Sequence, residues 1–245
     1  MGSHFKGKPP LTHVIEARRK GKLAASEIHG TELPGHYSAA ADSAKETAVL
    51  LVVLSILLTE WKVPVLELHR FVLILLTAWL VWKVGRSAVL GWMRLERLHR
   101  LIEEERWEIE HHRPQEKEEL TALYKAKGFS GQMLEEVVEV LMADDNRLLQ
   151  VMLEEELGLS LETYEHPLKQ ATGAGVGVLT AIGATAVGFF YLPSWGTLLC
   201  AGVVIALAAG AVAHLEKNRL TPAIVWNLAI GALAAGFAYF LGQFQ

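Results

Sequence analysis

Long apolar stretches on either side of a charged segment are the feature that most constrains the fold. Apolar residues dominate positions 47–93 and 168–245, and a helix that crosses a bilayer needs about 20 mostly apolar residues. Between them, residues 93–166, here called the acidic insert, carry 19 Asp and Glu against 9 Lys and Arg, a local charge of −10. The whole chain has a net charge of only −4, so the remainder is basic. This contrast predicts an integral membrane protein with one soluble insert.

Five stretches have the length and apolar character of membrane spans. They are residues 44–63, 69–93, 168–192, 195–215 and 222–241. We therefore predict an all-α, polytopic membrane protein with five transmembrane helices and a helical-bundle insert between the second and the third. Lys83 and Arg86 fall near the end of the second span, where long basic side chains are expected to reach the lipid headgroups.

The chain divides into four predicted segments, and its basic residues predict their orientation. The segments are a polar and basic arm at 1–43, the first two spans at 44–92, the acidic insert at 93–166 and the last three spans at 167–245. The arm, the start of the insert and the loop at 216–219 are basic, whereas the ends of the third and fifth spans lack charge. Basic loops stay in the cytosol. We expect a cytosolic N-terminus and insert, with the C-terminus on the opposite side.

Few features favour an enzyme. Cys200 is the only cysteine, so neither a disulfide within one chain nor a thiolate zinc site can form. No nucleophile elbow, phosphate-binding loop or His-rich zinc motif accompanies the acidic residues. Glu108 and His111 have the Glu-x-x-His spacing of di-iron proteins, but those proteins need two copies. We predict a non-enzymatic protein without a prosthetic group, which contacts lipid but not nucleic acid.

Small residues are frequent in the last three spans, and Gly173 and Gly177 form a G-x-x-x-G pair. Such pairs allow helix backbones to approach closely in lipid. The sequence does not decide whether this pair packs helices within one chain or forms a face for dimerisation.

Potential metal donors share helix faces in the acidic insert. Pro114, Gly128 and Gly158 divide the insert into short helices. Donors recur at spacings of three or four residues: Glu105 with Glu108, Glu116 with Glu119, and Met152 with Glu156. If these faces converge, oxygen donors and one sulfur form a site suited to Fe²⁺ or Mn²⁺. The alternative is a set of solvated acidic faces.

The order of motifs in the insert resembles the vacuolar iron transporter family. Residues 106–145 read RWEIEHHRPQEKEELTALYKAKGFSGQMLEEVVEVLMADD, and residues 151–159 read VMLEEELGL. That family has a glutamate-rich helix, a proline turn, E-x-x-EL-x-x-x-Y-x-x-x-G and a helix ending near M-x-x-x-ELGL. Residues 166–193, HPLKQATGAGVGVLTAIGATAVGFFYLP, are similar to its third span. The resemblance covers about residues 85–245 and is most specific in the insert.

The resemblance implies a homodimer that moves Fe²⁺ or Mn²⁺ out of the cytosol, commonly in exchange for protons. It also implies that a cytosolic domain gathers ions on glutamates and a methionine. Carried over by motif, these positions are Glu105, Glu108, Glu116, Glu119, Met152 and Glu156. Leu153 stands where the family often has a second methionine, which implies a site with fewer soft donors.

The first span is less similar to the family pattern. The family usually has N-D-G there, and this chain has Asp42 between Ala41 and Ser43, with Glu46 one turn later. Asp42 and Glu46 are therefore candidate ligands of a membrane pathway, because an ionisable residue in a span is costly unless it is paired or lines water. The alternative is that both lie outside the bilayer and cap the first helix.

The second span departs from the family's S-M-A-x-G-E, because Ala88 and Trp92 replace its methionine and glutamate. This departure supports a second hypothesis, a metal-sensing or scaffolding membrane protein that retains the insert without transport. In the arm, His29, Glu32 and His36 lie near Asp42 and Glu46. An accessory metal site there is a further hypothesis without tight ligand spacing.

Overall fold

The computed structural model describes residues 12, 14–16, 18–19, 33–61, 65–159, 165–192 and 195–244, excluding the side chains of 65–69. Within these ranges the chain is helical and has no strand, which confirms the predicted all-α fold. The helices with defined bounds are α1 Gly35–Glu60, α2 Val65–His111, α3 Arg113–Ala126, α4 Gly131–Met142, α5 Asp145–Glu155, α6 Pro167–Tyr191, α7 Gly196–Leu215 and α8 Leu220–Gly242.

The chain forms two compact units. Among the described residues, those within 27–92 and 165–245 form the bundle unit, and those within 1–26 and 93–164 form the insert unit. Helix α2 has 47 residues and contributes to both. Its second half, from Met93 to His111, contains neither proline nor glycine, so nothing in the local sequence ends the helix there.

Four of the described helices, α2, α6, α7 and α8, are long and apolar enough to cross a membrane. Helix α1 has 26 residues, but every 18-residue stretch of it holds three charged side chains. These come from Asp42, Lys45, Glu46 and Glu60. The first of the five spans therefore stays a prediction. Since α1 contacts α6, α7 and α8, neighbouring helices shield much of it.

Small side chains let α1 pack closely in the bundle unit. Its core includes Ala44 and Ala48 of α1, Ala181 of α6 and Ala201 of α7. A Cβ atom at Gly173 of α6 would lie 2.9 Å from the Cα atom of His36, and one at Gly177 would lie 2.9 Å from the carbonyl carbon of Ala40. The G-x-x-x-G pair thus packs α6 against α1 within one chain.

Helix α1 begins nine residues before the predicted span, at Gly35 directly after Pro34. Small residues at 35–44 extend its packing face toward α6, and the backbone N–H of His36 donates to the Glu165 carboxylate at 2.8 Å. Asp42 and Glu46 consequently lie about two and three turns inside the helix. The interpretation that they cap this helix is wrong, since capping residues precede the first turn.

Helices α3, α4 and α5 form the insert unit with the second half of α2. Local signals bound them: Pro114 lies in the first turn of α3, Gly128 follows it with φ of +100°, and the Asp144 side chain caps α5 by accepting from the N–H of Arg147 at 2.8 Å. The shared core contains Leu98, Leu101, Ile109, Leu120, Leu134, Val138, Leu148, Leu149, Met152, Leu153, Leu157 and Leu159. This core holds the three acidic faces in fixed positions.

Candidate metal centre

Three glutamates from different helices converge in the insert unit. Glu105 lies on α2, Glu116 lies in the first turn of α3 and Glu156 follows α5 as its C-cap. Each offers a carboxylate oxygen, and these three oxygens lie within 4.8 Å of one another. The residues are only 5%, 1% and 1% exposed. We call this group the glutamate centre.

The other predicted donors of the insert are also buried. Glu108 and Glu119 are 8% and 2% exposed, and both contribute negative potential at Glu105. Met152, fully buried, precedes Glu156 by one helical turn and belongs to the hydrophobic core. The predicted alternative of solvated acidic faces does not describe these six residues.

Glu105 shows what this arrangement does to a carboxyl group. Burial is the main reason that its pKa is raised well above the usual value, and the charges of Glu156, Glu116, Glu108 and Glu119 raise it further. Its buried Oε1 has no hydrogen-bond partner among the described residues. Such crowding of buried negative charge is costly unless a cation offsets it. The glutamate centre is therefore chemically suited to bind a divalent ion.

His111 and His112 are placed differently. His111 is exposed, stacks on the Trp107 ring with centroids 4.5 Å apart, and its Nδ1 lies 2.9 Å from the Trp107 carbonyl oxygen. The His112 ring meets the edge of Trp107 at 5.4 Å. These contacts fit polar residues at a helix end.

The two candidate pathway carboxylates in α1 each face a lysine. Asp42 pairs with Lys45 at 2.9 Å, and Glu46 pairs with Lys83 of α2 at 2.6 Å. The Lys83 side chain is only 5% exposed and pairs with Glu46, a contact that the expected reach toward the headgroups did not include. An acidic partner on a facing helix stabilises the buried ammonium more than a distant interface does. Sequence reasoning missed this pair, since spacing within one helix does not reveal it.

The departures in the second span lie on α2. Trp92 is 61% exposed, and Ala88 is half-buried. Between Lys83 and Ala88, the buried Ser87 hydroxyl donates to the backbone carbonyl of Gln170 at 3.1 Å. The structure therefore places no carboxylate or thioether at the two positions where the family has them.

His36 has a structural partner that the sequence did not indicate. Its Nδ1 contacts the carboxylate of Glu165, which also lies 3.4 Å from the Lys169 ammonium. His36 and Glu165 are 129 positions apart, so no local pattern joins them. His29 and Glu32, the other members of the hypothetical accessory site, lie outside the described residues.

Comparison with known proteins gives one family. The family model described as the VIT family matches residues 94–243, which is more than half of the chain and includes every donor of the glutamate centre. No curated protein matches the chain. VIT proteins are membrane transporters of metal ions, and the apolar helices agree with an integral membrane protein. The chain therefore belongs to the VIT family, the vacuolar iron transporters.

Proposed function

We propose that this protein moves Fe²⁺ or Mn²⁺ out of the cytosol in exchange for protons, and that the acidic insert captures the ion first. The observation that carries the proposal is the convergence of Glu105, Glu116 and Glu156 from three helices. Family membership supports metal-ion transport in general, and the donor set supports the choice of ion.

The donors favour a first-row divalent ion. Carboxylate oxygens suit Mn²⁺ and Fe²⁺, and a thioether such as Met152 favours softer transition metals over Mg²⁺ or Ca²⁺. A carboxyl group must lose its proton to bind a metal. Because the pKa of Glu105 is raised, Glu105 keeps its proton to a higher pH than an ordinary glutamate does. Metal capture displaces that proton.

The test uses the full chain, with Glu105, Glu116 and Glu156 changed together to Gln. The matched control changes one exposed glutamate on each of the same three helices, Glu103, Glu118 and Glu154, to Gln. Both variants lose three negative charges. We expect calorimetry to show Mn²⁺ and Fe²⁺ affinity at least about tenfold weaker in the first variant and near wild type in the control. Equal affinity in the two variants would contradict the proposal.

Transport is measured separately, as uptake into proteoliposomes with and without a pH gradient. We expect Fe²⁺ or Mn²⁺ uptake that the gradient accelerates and that moves protons in the opposite direction. The second candidate, a metal-sensing or scaffolding protein, is favoured by Ala88 and Trp92 and by the lysines beside Asp42 and Glu46. It predicts metal binding without uptake under either condition.

We also propose a homodimer with the N-terminus and insert in the cytosol. The family resemblance supports the dimer, and we place its contact on α2 at Leu73, Ile74 and Val81, which are 69%, 70% and 67% exposed in the single chain. A bifunctional maleimide should link Val81→Cys chains in a Cys200→Ser background. Phe237→Cys, 60% exposed on α8, serves as the control. Linking of both variants to the same extent would remove the support from α2.

A further inference from the structure

Lys83 is a charged side chain enclosed in the bundle unit. It is 4% exposed, and its Nζ atom donates to Oε2 of Glu46 at 2.6 Å. The same ammonium lies 6.0 Å from the centroid of the Trp79 ring, within the range of a cation–π contact. Two acceptors of different kinds therefore fix the position of this positive charge.

A neighbouring hydrogen bond aligns the two helices around the pair. The Trp79 indole N–H donates to Oγ1 of Thr47 at 2.9 Å, and that hydroxyl donates to the carbonyl of Ser43 at 2.6 Å. Trp79 and Lys83 lie four residues apart on α2, and Glu46 and Thr47 are adjacent on α1. The Trp79–Thr47 bond thus holds the ammonium opposite the carboxylate.

Exposure of the pair is uneven. The Lys83 side chain is 5% exposed, whereas the Glu46 side chain is 50% exposed. The carboxylate is therefore accessible from one side while the ammonium covers the other. Asp42, one turn earlier on the same face of α1, is likewise paired, with Lys45 at 2.9 Å.

Two lysines thus balance the two carboxylates that a membrane pathway would use. A divalent ion that approaches Glu46 meets a carboxylate whose charge Lys83 already neutralises. Two cations cannot both gain the full attraction of one carboxylate, since two positive charges held against the same group repel each other. Binding of the ion and pairing with Lys83 therefore oppose each other.

We propose that the Lys83 ammonium occupies the cation position at Glu46, so that a divalent ion binds Glu46 only by displacing it. Lys83 is then a specificity-determining residue: a monovalent ion gains no more from Glu46 than the ammonium does, whereas a divalent ion gains more. This rests on the proposed function, in which Glu46 lines the route of the ion. When the ion leaves, the ammonium pairs with Glu46 again.

The test counts Mn²⁺ bound to the purified full chain by electron paramagnetic resonance at fixed free Mn²⁺, and ions bound at the glutamate centre are common to all variants, so they cancel in the comparison. The variants are Lys83→Gln, Glu46→Gln and the double variant, and Arg86→Gln, an exposed change on the same helix, is the matched control. We expect Lys83→Gln to bind Mn²⁺ at Glu46 about tenfold more tightly than wild type, a usual size for coupling between two competing sites. The double variant should lose this gain, and Arg86→Gln should show none.

Equal Mn²⁺ binding by Lys83→Gln and the double variant would overturn the proposal. That result, together with a lower melting temperature of Lys83→Gln, would assign the pair a purely structural role. Lys83→Met replaces Lys83→Gln if the latter does not fold, and Lys83→Arg should match wild type because it retains the charge. Binding at Glu46 is counted without transport, so failure of the proposed function appears separately, as wild-type proteoliposomes that take up no metal.

Discussion

At the residue scale, Glu105 illustrates how a binding site can lower the free energy of unfolding of the metal-free fold. Its carboxyl group is buried among four other glutamates, and its pKa is raised accordingly. Replacing it with the neutral, similarly shaped Gln removes the buried negative charge and its repulsion by the neighbouring glutamates. We expect Glu105→Gln to raise the free energy of unfolding of the metal-free chain at neutral pH by on the order of 1 kcal/mol. Scanning fluorimetry measures this, with the exposed Glu103→Gln as control; an equal or lower melting temperature for Glu105→Gln would contradict it.

The pH dependence of metal binding follows from the same residue. A raised pKa in the folded state means that folded protein keeps a proton which the unfolded chain releases, so this group stabilises the metal-free fold at low pH and loses that effect as pH rises to the raised pKa. Metal binding has the opposite dependence, because the bound carboxylate must be deprotonated. We expect Mn²⁺ affinity to fall as pH decreases through this pKa, with proton release on binding.

Calorimetry in buffers of different ionisation enthalpy counts those protons. Wild type should release more protons per Mn²⁺ than Glu105→Gln, while Glu103→Gln should match wild type. Binding without proton release between neutral and mildly acidic pH would show that Glu105 is already ionised before the metal arrives.

Residue spacing indicated which side chains share one face of a helix, but not which residues of other helices each side chain contacts. The pairs Glu105 with Glu108 and Glu116 with Glu119 are visible in the sequence because helical periodicity is local. The pairing of Lys83 was not visible in the sequence for the opposite reason. Its position depends on Glu46, 37 residues away on another helix, and only tertiary packing decides whether a lysine reaches an interface or a carboxylate.

At the scale of whole helices, the sequence predicted a helix end correctly where a proline or a glycine sets that end. Pro114, Gly128 and Gly158 bound the short helices of the insert close to their predicted limits. The start of α1 was predicted nine residues late. Seven of the ten residues at 35–44 are Gly, Ser or Ala rather than strongly apolar residues. Packing against α6 stabilises this part of the helix, and a search for apolar stretches does not detect such packing.

The contact between α6 and α1 gives a prediction for glycine substitutions. A methyl group at Gly177 would press against the backbone of Ala40, whereas one at Gly183 on the same helix would have no described neighbour within 4 Å. We expect Gly177→Ala to lower the free energy of unfolding by about 1–3 kcal/mol, the usual cost of overpacking. Gly183→Ala should be neutral or slightly stabilising. Melting temperatures in detergent compare the two, and a stable Gly177→Ala would show that α1 and α6 separate readily.

For the whole molecule, the two units predict different kinetic defects. If the insert captures the ion and the bundle carries it, the triple change of Glu105, Glu116 and Glu156 to Gln should raise KM about tenfold and leave the maximal uptake rate within about twofold. Glu46→Gln should lower the maximal rate instead. Initial rates of Mn²⁺ uptake over a range of concentrations separate the two effects. A triple variant with an unchanged KM would mean that ions reach the membrane without passing through the insert.

The charged character of α1 also has a consequence for biosynthesis. A charged residue makes the insertion of a nascent membrane helix less favourable, by up to about 2.5–3.5 kcal/mol at the helix centre, and α1 carries Asp42, Lys45 and Glu46 in its first half. Its packing partners α6, α7 and α8 are synthesised later, because α1 ends at residue 60 and α6 begins at residue 167. We therefore expect α1 to enter the bilayer late, after the C-terminal helices have been translated. We expect a chain that stops before α6 to leave α1 outside the membrane, accessible to quality-control proteases.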